Sequence, residues 1–390
     1  MTTGAQGTCD DRFGRVRETF ESAFARGEEI GAAVAVTVNG EPVVDLWGGS
    51  ADPAGTRPWT RDTLVNVYST TKGMTALCAH RLVEEGRLRL DEPVATYWPE
   101  FAAAGKEHLP VRWLLSHRAG LAAIRPLLPN DALYDWTDMT TALAEESPWW
   151  APGHGHGYHA VTFGWLVGEV VRRITGSSLG TYFRTTFAEP LGADFHIGLP
   201  DHEHERVAEL TSIPLPDPDA PGVALATMIL SDPEGVSARA FLNPPSLAEG
   251  PNGAAWRRAE IPGANGHATA RAVARIYAAL ANGGTIDGVH VLTPESIARC
   301  YADQSHGHDR VLGVSTRFGL GFMLTQPGIP GAAFGPSPRT FGHPGAGGSI
   351  GLADPDRHVS IGYVMNRMGP EILVDPRASK LIDAVYASLD

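Results

Sequence analysis

The chain has 390 residues, of which 43% are hydrophobic and 19% charged; that is enough for two or three packed units with a sizeable core, and it excludes a disordered chain. A formal charge of −13 with no Lys/Arg cluster argues against nucleic acid or anionic membrane as a partner. Cys9, Cys78 and Cys300 are too few and too scattered for a disulfide framework or a zinc site. Residues 1–29 lack an apolar leader and no stretch approaches the roughly 18 apolar residues of a membrane span, so the reading is a soluble cytoplasmic protein.

In chain order, Phe13, Val16, Phe20 and Phe24 fall at helical spacing and predict an amphipathic helix over 11–27. Residues 32–38, Asn39-Gly40 and 42–47 predict a hairpin, because Asn-Gly supplies the positive φ angles of a type I′ turn. A strand at 64–67 leads into Ser69, and the helix after it carries Met74, Leu77, Cys78 and Leu82 on one apolar face. Beyond Gly86, residues 88–94, 97–101 and 111–117 read as short helices broken by prolines, and a longer helix at 162–174 ends at Gly176. Residues 200–262 are rich in Pro and Gly and read as a lid or a surface excursion. A helix at 269–280 stops at Asn282-Gly283-Gly284; strands follow at 320–324, 340–343, 349–353 and 358–365, and a last helix at 379–389. These elements give an α+β fold in which both chain ends build one antiparallel sheet flanked by the terminal helices. The expected division is 1–86 with 310–390 as an α/β domain and 87–309 as a helical, loop-rich lobe with lid-like 200–262, the catalytic cleft lying between them.

The chemistry concentrates at Ser69-Thr70-Thr71-Lys72. A serine at a helix mouth has free backbone N–H groups near it, which can hold the charge on an attacked carbonyl oxygen. Lys72, one turn on, brings its amine beside that hydroxyl. With 19 serines and three lysines the spacing alone is weak. Its context is stronger, because 28 of the 31 basic residues are arginine, yet position 72 carries the one basic side chain of the two whose pKa burial can bring towards neutrality.

Other patterns compete for attention. Gly347-Gly348-Ser349-Ile350-Gly351 fits the nucleophile elbow of α/β-hydrolases, but a hairpin follows it where the elbow needs a helix, and only 39 residues remain. His154/His156 with His159, His202/His204 and His306/His308 have spacings compatible with metal ligation, but all lie in Gly- or acid-rich segments and read as loop histidines. No metal or organic cofactor is expected. Trp149-Trp150 reads either as pocket lining or as helix-end packing.

Taken together, Ser69-Thr70-Thr71-Lys72 after a strand, Leu90-Asp91-Glu92-Pro93-Val94, Leu114-Leu115-Ser116-His117-Arg118-Ala119-Gly120-Leu121, Pro152-Gly153 before Tyr158-His159-Ala160, and His343-Pro344-Gly345 follow an order that resembles class C β-lactamases. The chain looks most like their carboxylesterase branch, the family VIII esterases, from about residue 12 to the end. The resemblance implies the β-lactamase/penicillin-binding type of fold, with Ser69 as the acylated nucleophile, Lys72 as its base and Tyr158 as the proton-shuttling tyrosine. The backbone N–H groups of Ser69 and Ala346 match the oxyanion hole. A phenol is a useful base near neutrality only beside a cation, and Lys72 is the cation expected to lower the Tyr158 pKa. Which of the two takes the serine proton stays open, since a coupled pair titrates as a unit.

Two departures shape the expected substrate. Ala160 stands where the β-lactamases have Asn, removing an amide that could hold an amide substrate and the lysine. His343-Pro344-Gly345 stands where they have Lys-Thr-Gly, which weakens a site for a substrate carboxylate. His343 and Gly345, with His159 and Trp150, are expected to meet the substrate. The reading is a serine carboxylesterase for small neutral, short-chain esters, with a small-molecule ester as its partner. A weak β-lactamase, an acyltransferase, or a non-catalytic acyl- or penicillin-binding protein is the alternative, and the sequence leaves oligomeric state open.

Overall fold

A computed structural model describes residues 4–214, 222–329 and 331–390. Its main sheet has nine antiparallel strands: β1 (Gln6–Cys9), β2 (Gly31–Val38), β3 (Glu41–Gly49), β4 (Ser305–His308), β5 (Ser315–Phe318), β6 (Met323–Leu324), β7 (Phe341–Pro344), β8 (Ile350–Asp354) and β9 (Val359–Met365). The spatial order is β1-β3-β2-β9-β8-β7-β6-β5-β4, so the central pairing of β2 with β9 joins the two ends of the chain. Asn39 and Gly40 take φ of 53° and 85°, which closes the β2–β3 hairpin with two left-handed residues.

Helices cover the sheet. α1 (Gly14–Ala25) packs beside α5 (Pro376–Leu389), whose N-terminus is capped by Asp375. α4 (Ala270–Ala281) lies on β2, β8 and β9, close enough that a Cβ at Gly362 would sit 2.3 Å from the Ala270 carbonyl oxygen. Gly351 likewise leaves room for the Tyr277 ring, so that glycine of the elbow-like motif serves helix–sheet packing.

Several expectations are corrected. α4 and β4 fall inside the stretch assigned to a separate helical lobe, yet the structure places both with the sheet. His306 and His308 lie on edge strand β4, paired to β5, and not in a loop. The strand before Ser69 is short, Val65–Asn66, and pairs with His267–Ala268 in a separate three-stranded sheet. The following helix, α2 (Thr71–Glu84), is not amphipathic: from Thr71 to Leu82 every residue but Arg81 is buried. It packs against α3 (Thr162–Thr175), which ends at Gly176 with φ 73°. Residues 200–262 hold short helices, among them Gly222–Ser231, Val236–Leu242 and Ala254–Arg258; their part from 215 to 221 lies outside the described residues. Among the described residues no helix is long and apolar enough to cross a membrane.

Candidate active site

Tyr68 takes a left-handed φ of 42°, and the turn it starts is tied by Thr70 N–H to the Val67 carbonyl (3.1 Å) and Lys72 N–H to the Ser69 carbonyl (2.9 Å). A left-handed non-glycine residue is costly and is held here by its surroundings. The result is a partly buried Ser69 just ahead of α2, with Lys72 one turn on and fully buried.

Lys72 Nζ has three oxygen neighbours: Ser69 Oγ at 3.1 Å, the Ala160 carbonyl at 2.6 Å and the Gly263 carbonyl at 2.8 Å. Ala160 therefore serves the lysine through its backbone where an asparagine side chain was missing. Burial with no carboxylate against it holds the Lys72 amine well below the ordinary lysine range. All three oxygens can accept from the amine; in its neutral form it keeps two N–H bonds for the carbonyls and can turn its lone pair to the Ser69 hydroxyl.

Tyr158 is buried, with the Lys72 amine 4.6 Å from its ring centroid. Burial pushes its phenol up; the contact with Ser69 pulls the other way and is the smaller effect. This corrects the expectation that a Lys72 cation lowers the Tyr158 pKa. Desolvation dominates both groups, pulling the amine towards its uncharged form and keeping the phenol protonated.

Ser69, Tyr158 and Ala346 line one cavity of about 560 Å³. Neither the Ser69 nor the Ala346 backbone N–H has a partner among the described residues, so both remain available to an oxyanion. Much of the wall comes from the segment read as lid-like: Leu210, Leu225, Ile229, Phe241 and Trp256. Trp256 is pinned by its Nε1–H to Asn66 Oδ1 at 2.9 Å and by Asn265 Nδ2 on its carbonyl at 2.8 Å. Glu249 and Glu371 are the charged residues among those lining the cavity; no Lys or Arg is among the described ones.

The four residues expected to meet substrate do not line this cavity. His159 is fully buried, its Nδ1 donating to the Gly157 carbonyl (2.8 Å) and its Nε2 accepting the Leu121 N–H (3.1 Å), so it ties loops together. Trp150 packs edge-on against His159. Gly345 is required by crowding, since a Cβ there would lie 2.2 Å from Ser349 Oγ and from the Val67 carbonyl oxygen. His343 is buried behind Tyr158, and burial with the nearby Lys72 holds its pKa down to about 3, so it offers no cation to a carboxylate. Among the described residues no group of three or more His, Cys, Asp or Glu is placed to hold a metal.

Asp309 escaped the sequence reading. It is fully buried and accepts the N–H groups of Tyr158 (3.0 Å), Val311 (2.9 Å) and Leu312 (2.9 Å) and the hydroxyl of Thr316 (3.0 Å). Its bonds to the amides two and three residues on form an Asx turn, a local signal that was available. Asp309→Ala is expected to lower kcat about 10- to 100-fold by releasing the Tyr158 backbone. Each amide left buried and unpaired costs about 1–3 kcal/mol, so Tm falls as well; steady-state kinetics and a melt check both.

A serine in contact with a buried lysine amine, on a cavity also lined by Tyr158 and Ala346, fits a serine hydrolase of the β-lactamase and penicillin-binding type. The chain belongs to the Beta-lactamase family, whose model matches residues 16–384. It is 40% identical over 375 residues to Esterase/beta-lactamase LipL of Mycobacterium tuberculosis, an alignment covering 95% of this chain and 85% of the relative. A solved family VIII carboxylesterase superposes with a TM-score of 0.88 at 41% identity, over 98% of this chain and 99% of that one. A penicillin-binding protein homolog from Caulobacter crescentus gives a TM-score of 0.90 at 45% identity, again over 98% and 99%.

Proposed function

We propose that the protein is a carboxylesterase that hydrolyses small neutral esters through an acyl-enzyme. The observation that carries this is the buried Lys72 amine between two carbonyls and the Ser69 hydroxyl. In acylation the Ser69 oxygen attacks the ester carbonyl while its proton passes to Lys72 Nζ, and the Ser69 and Ala346 N–H groups hold the oxyanion. The C–O bond to the alcohol then breaks; Tyr158 gives its hydroxyl proton to the departing oxygen and regains one from Lys72. Water deacylates the enzyme by the same path in reverse, with the phenol and amine taking and returning its proton.

The cavity wall supports a neutral substrate. A cephalosporin or penicillin carboxylate would find no arginine or lysine among the described lining residues. The kcat/KM for p-nitrophenyl butyrate is therefore expected to exceed that for a chromogenic cephalosporin by roughly 100-fold or more. Comparable values for the two would make the protein a β-lactamase. Release of one equivalent of nitrophenol without turnover would make it an acyl-binding protein.

A further inference from the structure

The loop that carries the Ala346 amide is an unusual piece of backbone. Gly345 to Gly348 form a tight turn, with Gly348 N–H on the Gly345 carbonyl (3.1 Å) and Gly345 N–H on the Ser349 carbonyl (2.7 Å). Gly347 and Gly348 have φ of 84° and 131°, values that favour glycine, so this part of the turn has no side chains of its own to anchor it. What holds it is the Gly347 carbonyl, which accepts the Gly369 N–H at 2.9 Å and Arg377 Nη2 at 2.7 Å.

Arg377 is the second residue of α5 and is buried. Every guanidinium nitrogen is engaged: Nε with Asp375 Oδ1 (2.8 Å), Nη2 with Asp375 Oδ2 (3.0 Å) and Gly347, and Nη1 with the Arg367 carbonyl (2.9 Å), the Glu28 carbonyl (3.2 Å) and Glu29 Oε2 (3.1 Å). A planar fork held bidentately by one carboxylate has a fixed direction, which a lysine cannot reproduce. Space is reserved for it as well. A Cβ on Gly348 would lie 2.9 Å from Arg377 Nη2, and one on Gly369 would lie 2.1 Å from Asp375 Oδ2 and 3.0 Å from the guanidinium.

We infer that Arg377, oriented by Asp375, is a positioning residue for the oxyanion site: it clamps the Gly347 carbonyl and thereby holds the Ala346 N–H aimed into the cavity. This rests on the reading of Ala346 as an oxyanion donor. Arg377 touches no substrate, and its effect is confined to the transition state, where the oxyanion forms.

The test compares Arg377→Lys, Asp375→Asn and Tyr386→Phe with wild type. Tyr386 lies on the same helix, and its hydroxyl donates to Asp354 Oδ2 at 2.8 Å, away from the turn. Each variant is assayed for kcat and KM on p-nitrophenyl butyrate, for inhibition by phenylboronic acid as an oxyanion mimic, and for Tm. Arg377→Lys is expected to lower kcat about 10- to 100-fold and to weaken boronate inhibition in parallel, with KM changed less than about 3-fold. Asp375→Asn moves both in the same direction by a smaller factor, and carries the test alone if Arg377→Lys does not fold. Tyr386→Phe lowers Tm while leaving kcat near wild type.

Wild-type kcat in a folded Arg377→Lys or, failing that, in Asp375→Asn overturns the inference, as does a loss of kcat in Tyr386→Phe that tracks its loss of Tm. Ser69→Ala run alongside separates the two levels: if it still turns over, the underlying site reading fails, whereas a dead Ser69→Ala with a fully active Arg377→Lys sinks only the clamp.

Discussion

Ser69→Ala is expected to reduce kcat on p-nitrophenyl butyrate by about four to six orders of magnitude, the usual consequence of deleting a nucleophile, whereas Ser349→Ala stays within about tenfold of wild type. Both serines sit near the cavity, so the contrast is a sharp one. Ser349 Oγ donates to the Val67 carbonyl at 2.9 Å and lies 3.1 Å from Thr70 Oγ1. It braces the turn before Ser69 against the turn that carries Ala346. The residue is buried, and strand β8 follows it, so it lacks both the exposure and the helix of a nucleophile elbow. Its loss is expected to appear as about 1–2 kcal/mol of stability, read from denaturant unfolding.

Lys72 carries the second large effect. Lys72→Ala removes the base and is expected to cost about 10³- to 10⁴-fold in kcat/KM. Lys72→Arg does no better, since a guanidinium stays protonated and cannot accept the Ser69 proton. The pH dependence follows from the direction of the shift. If the amine works unprotonated, as proposed, then activity rises with pH through a Lys72 pKa that lies well below the ordinary 10.5 and falls as pH drops through that depressed value. Tyr158 is shifted upward, so its proton-donating role fails only at strongly alkaline pH. A kcat/KM profile whose rising limb sits near the ordinary lysine pKa would show that Lys72 is charged at neutrality and that burial does not depress its pKa; a profile unchanged in Lys72→Ala would show that it is not the base.

How far the sequence shows this site depends on how local each signal is. The Asn39-Gly40 hairpin is legible because its turn chemistry lies within two residues. Ser69 and Lys72 meet because one helical turn separates them. The burial of α2 on all sides is not legible, because Met74, Leu77, Cys78 and Leu82 read as one apolar face and nothing local shows that the fold also closes over the rest of the helix. The same holds for His343 and His159: they read as substrate contacts, and only three-dimensional packing shows both buried, His343 with Nδ1 on the Pro344 carbonyl and His159 tied to the Gly157 carbonyl and the Leu121 amide. The cavity wall is the least legible part. Leu225, Ile229, Phe241 and Trp256 come from short helices between prolines and glycines, where no periodicity runs long enough to name a face. The link from Arg377 to Gly347 spans 30 residues of chain and leaves no local trace beyond the paired glycines.

The most direct measurement is to trap the acyl-enzyme. The wild-type protein is mixed with p-nitrophenyl butyrate, quenched in acid within the first turnover, digested and mapped by mass spectrometry. A butyryl group on the peptide containing Ser69, absent from Ser69→Ala and preserved in Ser349→Ala, is the expected result. A butyryl group on Ser349, or turnover with no acylated peptide at all, would contradict the account.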